Sequence, residues 1–129
     1  MDQSTELALL VMAILLIKHA LFDFVFQGRY QLENKHIYGH PGGLLHAGLH
    51  IVGTASAFLL VRPSLGAAAA ILAGEFAAHY HIDWAKDQLL RRTGWGYAEG
   101  RYWAVFGVDQ LAHGLIYVAI VWALIAGAS

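Results

Sequence analysis

The chain has 129 residues, of which 58% are hydrophobic and 13% charged, with a formal net charge of −1. In an ordinary soluble domain about a quarter of the residues are charged. The high hydrophobic and low charged fractions of this chain exclude a disordered protein, and its small net charge excludes a nucleic-acid-binding protein. Cysteine is absent, which excludes disulfides, thiolate ligands and iron–sulfur clusters and leaves nitrogen and oxygen atoms as metal ligands. A chain of this length predicts one domain, residues 1–129.

Four apolar stretches are each long enough to cross about 30 Å of hydrocarbon as a helix. They cover residues 6–27, 44–61, 65–90 and 102–126, and polar segments over residues 28–43, 62–64 and 91–101 join them. The first stretch follows Asp2 and Glu6, where a cleaved leader would carry Lys or Arg, so we expect it to be retained as a span. The pattern predicts an all-α polytopic membrane protein, a four-transmembrane-helix up-down bundle.

Basic residues are distributed unevenly over the predicted loops. The turn at residues 62–64 contains only Arg62, whereas the two long loops and the end of the third stretch contain six basic residues. These six are Arg29, Lys35, Lys86, Arg91, Arg92 and Arg101. The positive-inside rule therefore predicts cytoplasmic long loops and both termini outside.

Each predicted span carries two ionisable residues spaced i, i+4. Residues at this spacing lie on one face of a helix, and ionisable groups inside a membrane mark functional sites because burying them there is costly. In an up-down bundle all four pairs fall in the cytoplasmic half, most of them roughly 5–15 Å below its surface. We therefore expect them to meet. The pairs are His19 and Asp23, His46 and His50, His79 and Asp83, and Asp109 and His113.

Imidazole and carboxylate groups together suit a divalent transition metal such as Zn, Fe or Mn, and helical bundles build such sites from inward-facing side chains. All eight residues are candidate metal ligands. They exceed the three or four protein ligands of a typical zinc site, so two ions, or one ion with carboxylates that orient the imidazoles, both remain open. A hydrogen-bonded polar core without metal is the third possibility. Lys18 either extends to the membrane surface or pairs with a carboxylate such as Glu75.

The segment from His19 to Asp23 is similar to the segment from His79 to Asp83, sixty residues later. In addition, the second and fourth stretches each carry a pair that ends in histidine. This similarity predicts two pseudo-repeated helical hairpins, related by an axis along the membrane normal.

Short motifs along most of the chain carry a family resemblance. They read H-x3-D-F-x2-Q from His19 to Gln27, E-N-K at residues 33–35, H-x3-D-x2-K from His79 to Lys86, and D-Q-x2-H at residues 109–113. With His46 in the second stretch, they resemble a family of small bacterial four-span integral membrane proteins of unknown function. The resemblance implies the fold, location in the inner (plasma) membrane of a bacterium and the importance of the motif residues, and it implies no activity. His50 lies outside these motifs.

Three functions are compatible with the pattern. The first is metal-dependent hydrolysis of a phosphoester or amide in a membrane-associated, lipid-soluble substrate, with Asp23 or Asp83 as base and Lys86 or Arg91 holding an anionic head group. It draws on a looser, fold-level analogy with bacterial inner-membrane proteins labelled metal-dependent hydrolases. The second is transport of a divalent cation or protons, and the third is a b-type haem held by facing histidines. The bilayer is the expected partner, and a homo-oligomer is left open.

Overall fold

A computed structural model describes residues 2–127 as six α-helices, without a β-strand among those residues. A π-helical turn over Leu21–Val25 directly continues the first helix. The all-α prediction is confirmed. The helices are α1 (Gln3–Ala20), α2 (Arg29–Asn34), α3 (Pro41–Ala55), α4 (Phe58–Val61), α5 (Leu65–Thr93) and α6 (Gly100–Ala126).

The ends of the long helices follow from local sequence. Asp2 caps α1 by accepting a hydrogen bond from the backbone N–H of Thr5, and this bond holds the pKa of the Asp2 carboxyl below its usual value. Ser64 caps α5 by accepting from the N–H of Ala67. Gly94 ends α5 with a φ of 69°, a left-handed conformation that glycine adopts without steric cost.

Three helical stretches within residues 2–127 are long and apolar enough to cross a membrane: Gln3–Val25, Pro41–Val61 and Gly100–Ala126. Their outer faces expose large apolar side chains, such as Leu59 at 78% and Trp122 at 73%. A soluble protein rarely exposes continuous apolar faces of this kind. Together these features indicate a membrane protein.

The longest helix, α5, is not among these three stretches. Its 29 residues extend about 44 Å, more than the thickness of the hydrocarbon core. However, it carries several polar residues that lower its mean hydropathy, among them Glu75, His79, Asp83 and Lys86. The four-span count therefore stays a prediction.

The long helices pack in a closed order, in which α1 contacts α6, α6 contacts α5, α5 contacts α3, and α3 contacts α1. Buried apolar side chains fill the interior toward the start of α1 and the end of α6, whereas buried polar groups fill the other half. The polar groups are thus shielded by an outward-facing apolar surface, the reverse of a soluble fold. The apolar cluster consists of Val11, Leu15, Ala57, Tyr117, Ile120 and Leu124.

The segment predicted as a loop over residues 28–43 contains the short helix α2, which packs against α3. Six residues give little periodicity from which a helix can be predicted, and tertiary packing stabilises it instead. The approach to α3 is close, because a Cβ atom at Gly42 would lie 2.7 Å from the carbonyl oxygen of Tyr30. The helix α3 begins at Pro41, three residues before the predicted residue 44.

Gly53 allows α3 to approach α1. A Cβ atom there would lie 2.7 Å from Cε2 of Phe22 and 3.1 Å from Cδ of Lys18, whereas a Cβ atom at Gly48 would meet no atom within 4 Å. We expect Gly53→Ala to be less stable than Gly48→Ala by about 1–3 kcal/mol, because only the first change overpacks an interface. Both gain the same helix propensity, so Gly48→Ala is a matched control in thermal unfolding of the detergent-purified protein. Equal stability of the two variants would contradict this packing.

Candidate metal centre

The eight predicted ligand residues meet inside the polar half of the molecule, and we refer to them as the His/Asp cluster. The π-helical turn presents Asp23 toward His19 of α1, and π-helical turns of this kind recur at functional sites. Neighbouring imidazole rings are in contact, with centroids 3.8 Å apart for His50 and His79 and 4.2 Å apart for His79 and His113. Sequence reasoning therefore located these side chains correctly, although their roles as ligands stay predictions.

His46 lies between two carboxylates from different helices. Its Nε2 atom is 3.2 Å from Oδ1 of Asp23 and 3.1 Å from Oδ2 of Asp83. On its other side, Nδ1 lies 3.0 Å from Oε1 of Gln31, which can only accept a hydrogen bond. With the proton on Nδ1, the lone pair of Nε2 and two carboxylate oxygens face one another. The amide nitrogen of Gln27 lies 3.0 Å from Nδ1 and 3.1 Å from Nε2 of His46 and can donate to either. A proton or a metal ion at Nε2 would join His46 to the two carboxylates.

Two further histidines present nitrogen atoms without partners. Neither ring nitrogen of the buried His79 has a hydrogen-bond partner within residues 2–127. In His113, Nδ1 donates to the backbone carbonyl of Asp109 at 2.8 Å. This bond leaves Nε2 as an acceptor, and it too has no hydrogen-bond partner in the described chain. Buried polar atoms without partners are uncommon in native structures, and a bound water molecule or ion would satisfy them.

The cluster offers two sets of atoms that can hold a metal ion. One atom from each member of a set lies within 4.8 Å of all the others. Ligand atoms around one zinc ion are at most roughly 4 Å apart, so small side-chain adjustments would close either set around an ion. The first set is Asp23, His46, His50 and His79, and the second is His79, Asp83 and His113, so that His79 is common to both.

His19 and Asp109, which we also predicted as ligands, lie at the edge of the cluster and outside both sets. The Nδ1 atom of His19 is 2.9 Å from the hydroxyl of Tyr117, and its Nε2 atom is 3.1 Å from Oε1 of Gln110. Asp109 pairs with Lys86 at 3.2 Å. Both residues are therefore placed to orient their neighbours.

Two lysines neutralise the carboxylates of α5 and α6. The ammonium group of Lys35 lies 3.3 Å from Oδ2 of Asp83, and that of Lys86 lies 3.5 Å from Oδ1 of Asp83 and 3.2 Å from Asp109. Lys86 therefore points inward, toward the His/Asp cluster. Asp83 consequently faces three histidines and two lysines, which makes it the most heavily contacted carboxylate of the site.

A buried ion pair lies next to the His/Asp cluster. Lys18 of α1 pairs with Glu75 of α5, and both side chains are almost fully buried. The ammonium group also donates to the backbone carbonyl of His50 at 3.1 Å. Of the two alternatives for Lys18, the structure therefore shows the pairing with Glu75.

Three contributors were missed at the sequence level: Gln31, Lys35 and Tyr117. The E-N-K motif, to which Lys35 belongs, pointed to this residue, but its predicted loop position gave no reason to place it in the interior. No sequence feature pointed to Gln31 or Tyr117, because a polar side chain in a short connection and a tyrosine in an apolar span are both common. Their roles depend on which helices are neighbours.

The remaining histidines, His36, His40 and His81, lie outside the His/Asp cluster. His40 caps α3 by accepting from the N–H of Gly42, and His81 contacts Tyr38 on the exposed side of α5. Neither they nor His36 belongs to a set that can hold a metal ion. His81 is therefore a useful control for His79.

Comparison with known proteins gives a family but no activity. No curated protein and no solved structure matches the chain. Residues 11–129, which include every member of the His/Asp cluster, match the family described as "Protein of unknown function (DUF3307)", and the chain therefore belongs to that family.

Proposed function

We propose that this protein is an integral membrane metalloprotein, and that its His/Asp cluster holds one or two divalent transition-metal ions such as Zn, Fe or Mn. One observation carries the proposal. Among residues 2–127, neither ring nitrogen of the buried His79 nor Nε2 of His113 has a hydrogen-bond partner, and carboxylate oxygens of Asp83 lie 3.6 Å and 4.0 Å from the two Nε2 atoms. Buried polar groups without partners are costly, and a metal ion would remove that cost.

In this proposal α5 is the fourth transmembrane helix of an up-down bundle. Its polar residues Glu75, His79 and Asp83 are buried against the other three long helices, so they do not meet lipid. Polar groups that face a bundle interior are tolerated inside a membrane. The distribution of basic residues then favours the bacterial inner membrane, with the long loops in the cytoplasm and both termini outside.

The reaction that we propose is hydrolysis of a membrane-associated ester or amide. A bound divalent ion would supply a water molecule of lowered pKa and would polarise the substrate. Asp23 is the better candidate base, because it lines a cavity of about 540 Å³ that opens beside the cluster. Asp83 is buried among cations and fits a ligand role. Lys86 lines the same cavity and is placed to hold an anionic group of the substrate.

Two other functions have less support. A transport pathway would have to continue through the outer half of the bundle, where Val11 and Leu15 are fully buried in the apolar cluster. A haem would need a gap for its macrocycle between two axial histidines. The imidazole rings of His50 and His79 instead contact each other directly, and His79 is in turn against His113.

Elemental analysis of the detergent-purified protein tests the metal site. We expect about one to two equivalents of a transition metal per chain. The variant His79→Ala should lower metal affinity at least tenfold, since loss of an outer-sphere partner alone costs about 10–100-fold. Because the nitrogens of His79 have no hydrogen-bond partner in the described structure, the change breaks no hydrogen bond there.

His81→Ala is the matched control, since His81 lies two residues away on the exposed side of α5. It should bind metal as the wild type does. Less than about half an equivalent of every transition metal in the folded wild type, or equal loss in the two variants, would refute the metal centre. An absorbance spectrum of the same sample would reveal a haem, and uptake in proteoliposomes would reveal transport.

A further inference from the structure

The cavity beside the His/Asp cluster combines basic and aromatic walls. We call it the cleft. Besides Asp23, its lining includes the basic residues Lys35, Lys86 and Arg91, one further carboxylate, Asp87, and several aromatic rings. Lys35 and Lys86 neutralise Asp83 and Asp109, whereas Arg91 is exposed and forms no ion pair within 4 Å in the described chain. A divalent ion held by His79, Asp83 and His113 would leave this region with excess positive charge, which favours an anion.

A second cavity lies on the outer surface between α5 and α6, and we call it the groove. It has a volume of about 460 Å³, and small and branched apolar side chains form nearly all of its lining. Among them are Ala85 and Leu89 of α5 and Ala104 and Val108 of α6. In a membrane protein such a surface faces hydrocarbon, so a lipid chain is the occupant that its environment supplies.

Lys86 belongs to the linings of both cavities. Its ammonium group lies at the cluster, and its position on α5 is where the basic cleft and the apolar groove meet. One amphiphilic molecule can therefore place an anionic headgroup in the cleft and a hydrocarbon chain in the groove. Free phosphate would occupy only the cleft, and a neutral lipid would occupy only the groove.

We propose that the cleft and the groove together bind a lipid with a phosphate monoester headgroup, with the phosphate near Lys86 and Arg91. This inference rests on the proposed function, for which it names the substrate class. In the corresponding reaction, water forms a new P–O bond, the P–O bond to the lipid oxygen breaks, and a proton from water passes through Asp23 to that oxygen. The products are inorganic phosphate and a lipid alcohol.

Binding to the detergent-purified, full-length protein tests this assignment without requiring turnover. The probes are short-chain phosphatidic acid, phosphatidylcholine with the same chains, and inorganic phosphate. We expect phosphatidic acid to bind at least about tenfold more tightly than either of the others, which corresponds to about 1.4 kcal/mol. Equal affinity for phosphatidylcholine would refute recognition of the headgroup, and equal affinity for inorganic phosphate would refute use of the groove.

Paired variants assign the two cavities. Arg91→Gln should weaken phosphatidic acid binding about tenfold, whereas Arg92→Gln changes the neighbouring exposed arginine, which is not part of the lining, and should have no effect. Ala104→Trp should block the groove, whereas Ala119→Trp alters an exposed position of α6 outside it. Equal effects within either pair would overturn the assignment.

Metal content measured in the same samples separates this inference from the proposed function. Selective binding of phosphatidic acid by a metal-free protein would support the lipid site and refute the metalloprotein. A metal-loaded protein that does not prefer phosphatidic acid would refute the lipid site alone.

Discussion

Replacement of Glu75 by leucine will destabilise the protein by about 3–5 kcal/mol, and replacement of Lys18 by methionine will cost a similar amount. Each change leaves one charge buried and unpaired, because the two side chains form an ion pair that is almost completely shielded. Lys18 loses the partner that is closest to its ammonium group, and Glu75 keeps no other partner among the residues that the structure describes.

A double-mutant cycle makes this prediction specific. The variant Lys18→Met with Glu75→Leu removes both charges and should be more stable than either single variant, since an apolar pair of similar volume can replace a buried ion pair at little cost. Unfolding of the detergent-purified variants gives the four free energies of the cycle. Glu6→Gln, at an exposed position of α1, is the control. Additive losses in the double variant would contradict a direct ion pair.

Replacement of Asp83 by alanine should have two separate effects. It removes a ligand from the set with His79 and His113, so metal affinity should fall at least about tenfold. It also leaves the ammonium groups of Lys35 and Lys86 without the carboxylate between them, which we expect to cost about 3–5 kcal/mol.

A chelator separates the two effects of Asp83→Ala. Excess chelator removes the contribution of the metal to stability, so any loss that remains under these conditions comes from the lysines. Adding Lys35→Met to Asp83→Ala should restore part of that loss and none of the metal binding. If the loss of stability vanishes in chelator, the lysines do not need Asp83, and the charge arrangement described above is wrong.

Sequence periodicity was sufficient to predict that the residues of the His/Asp cluster lie close together. The pairs beginning at His19, His46, His79 and Asp109 share the i, i+4 spacing, and the predicted alternation of four spans would put them at one end of a bundle. These two regularities need no knowledge of packing. The helical class and the membrane character follow from composition in the same way.

Other parts of the site depend on contacts that periodicity does not encode. The π-helical turn around Asp23 adds a residue to one turn, and no residue type in Leu21–Val25 signals it. The pairing of Lys18 with Glu75 joins α1 to α5, and only the assembled helices reveal that these two side chains meet. The same holds for Gln31, whose helix exists because it packs against α3.

The polarity of α5 has a consequence for biogenesis. A segment that carries Glu75, His79 and Asp83 partitions poorly into lipid as an isolated helix, and α5 is less apolar than the other three candidate spans. As a fourth span it would have to leave the translocon together with α6 or after α1 and α3 are in place. Its polar side chains would then be shielded from lipid by these neighbouring helices. Assembly of the site and integration of the chain would then be one event.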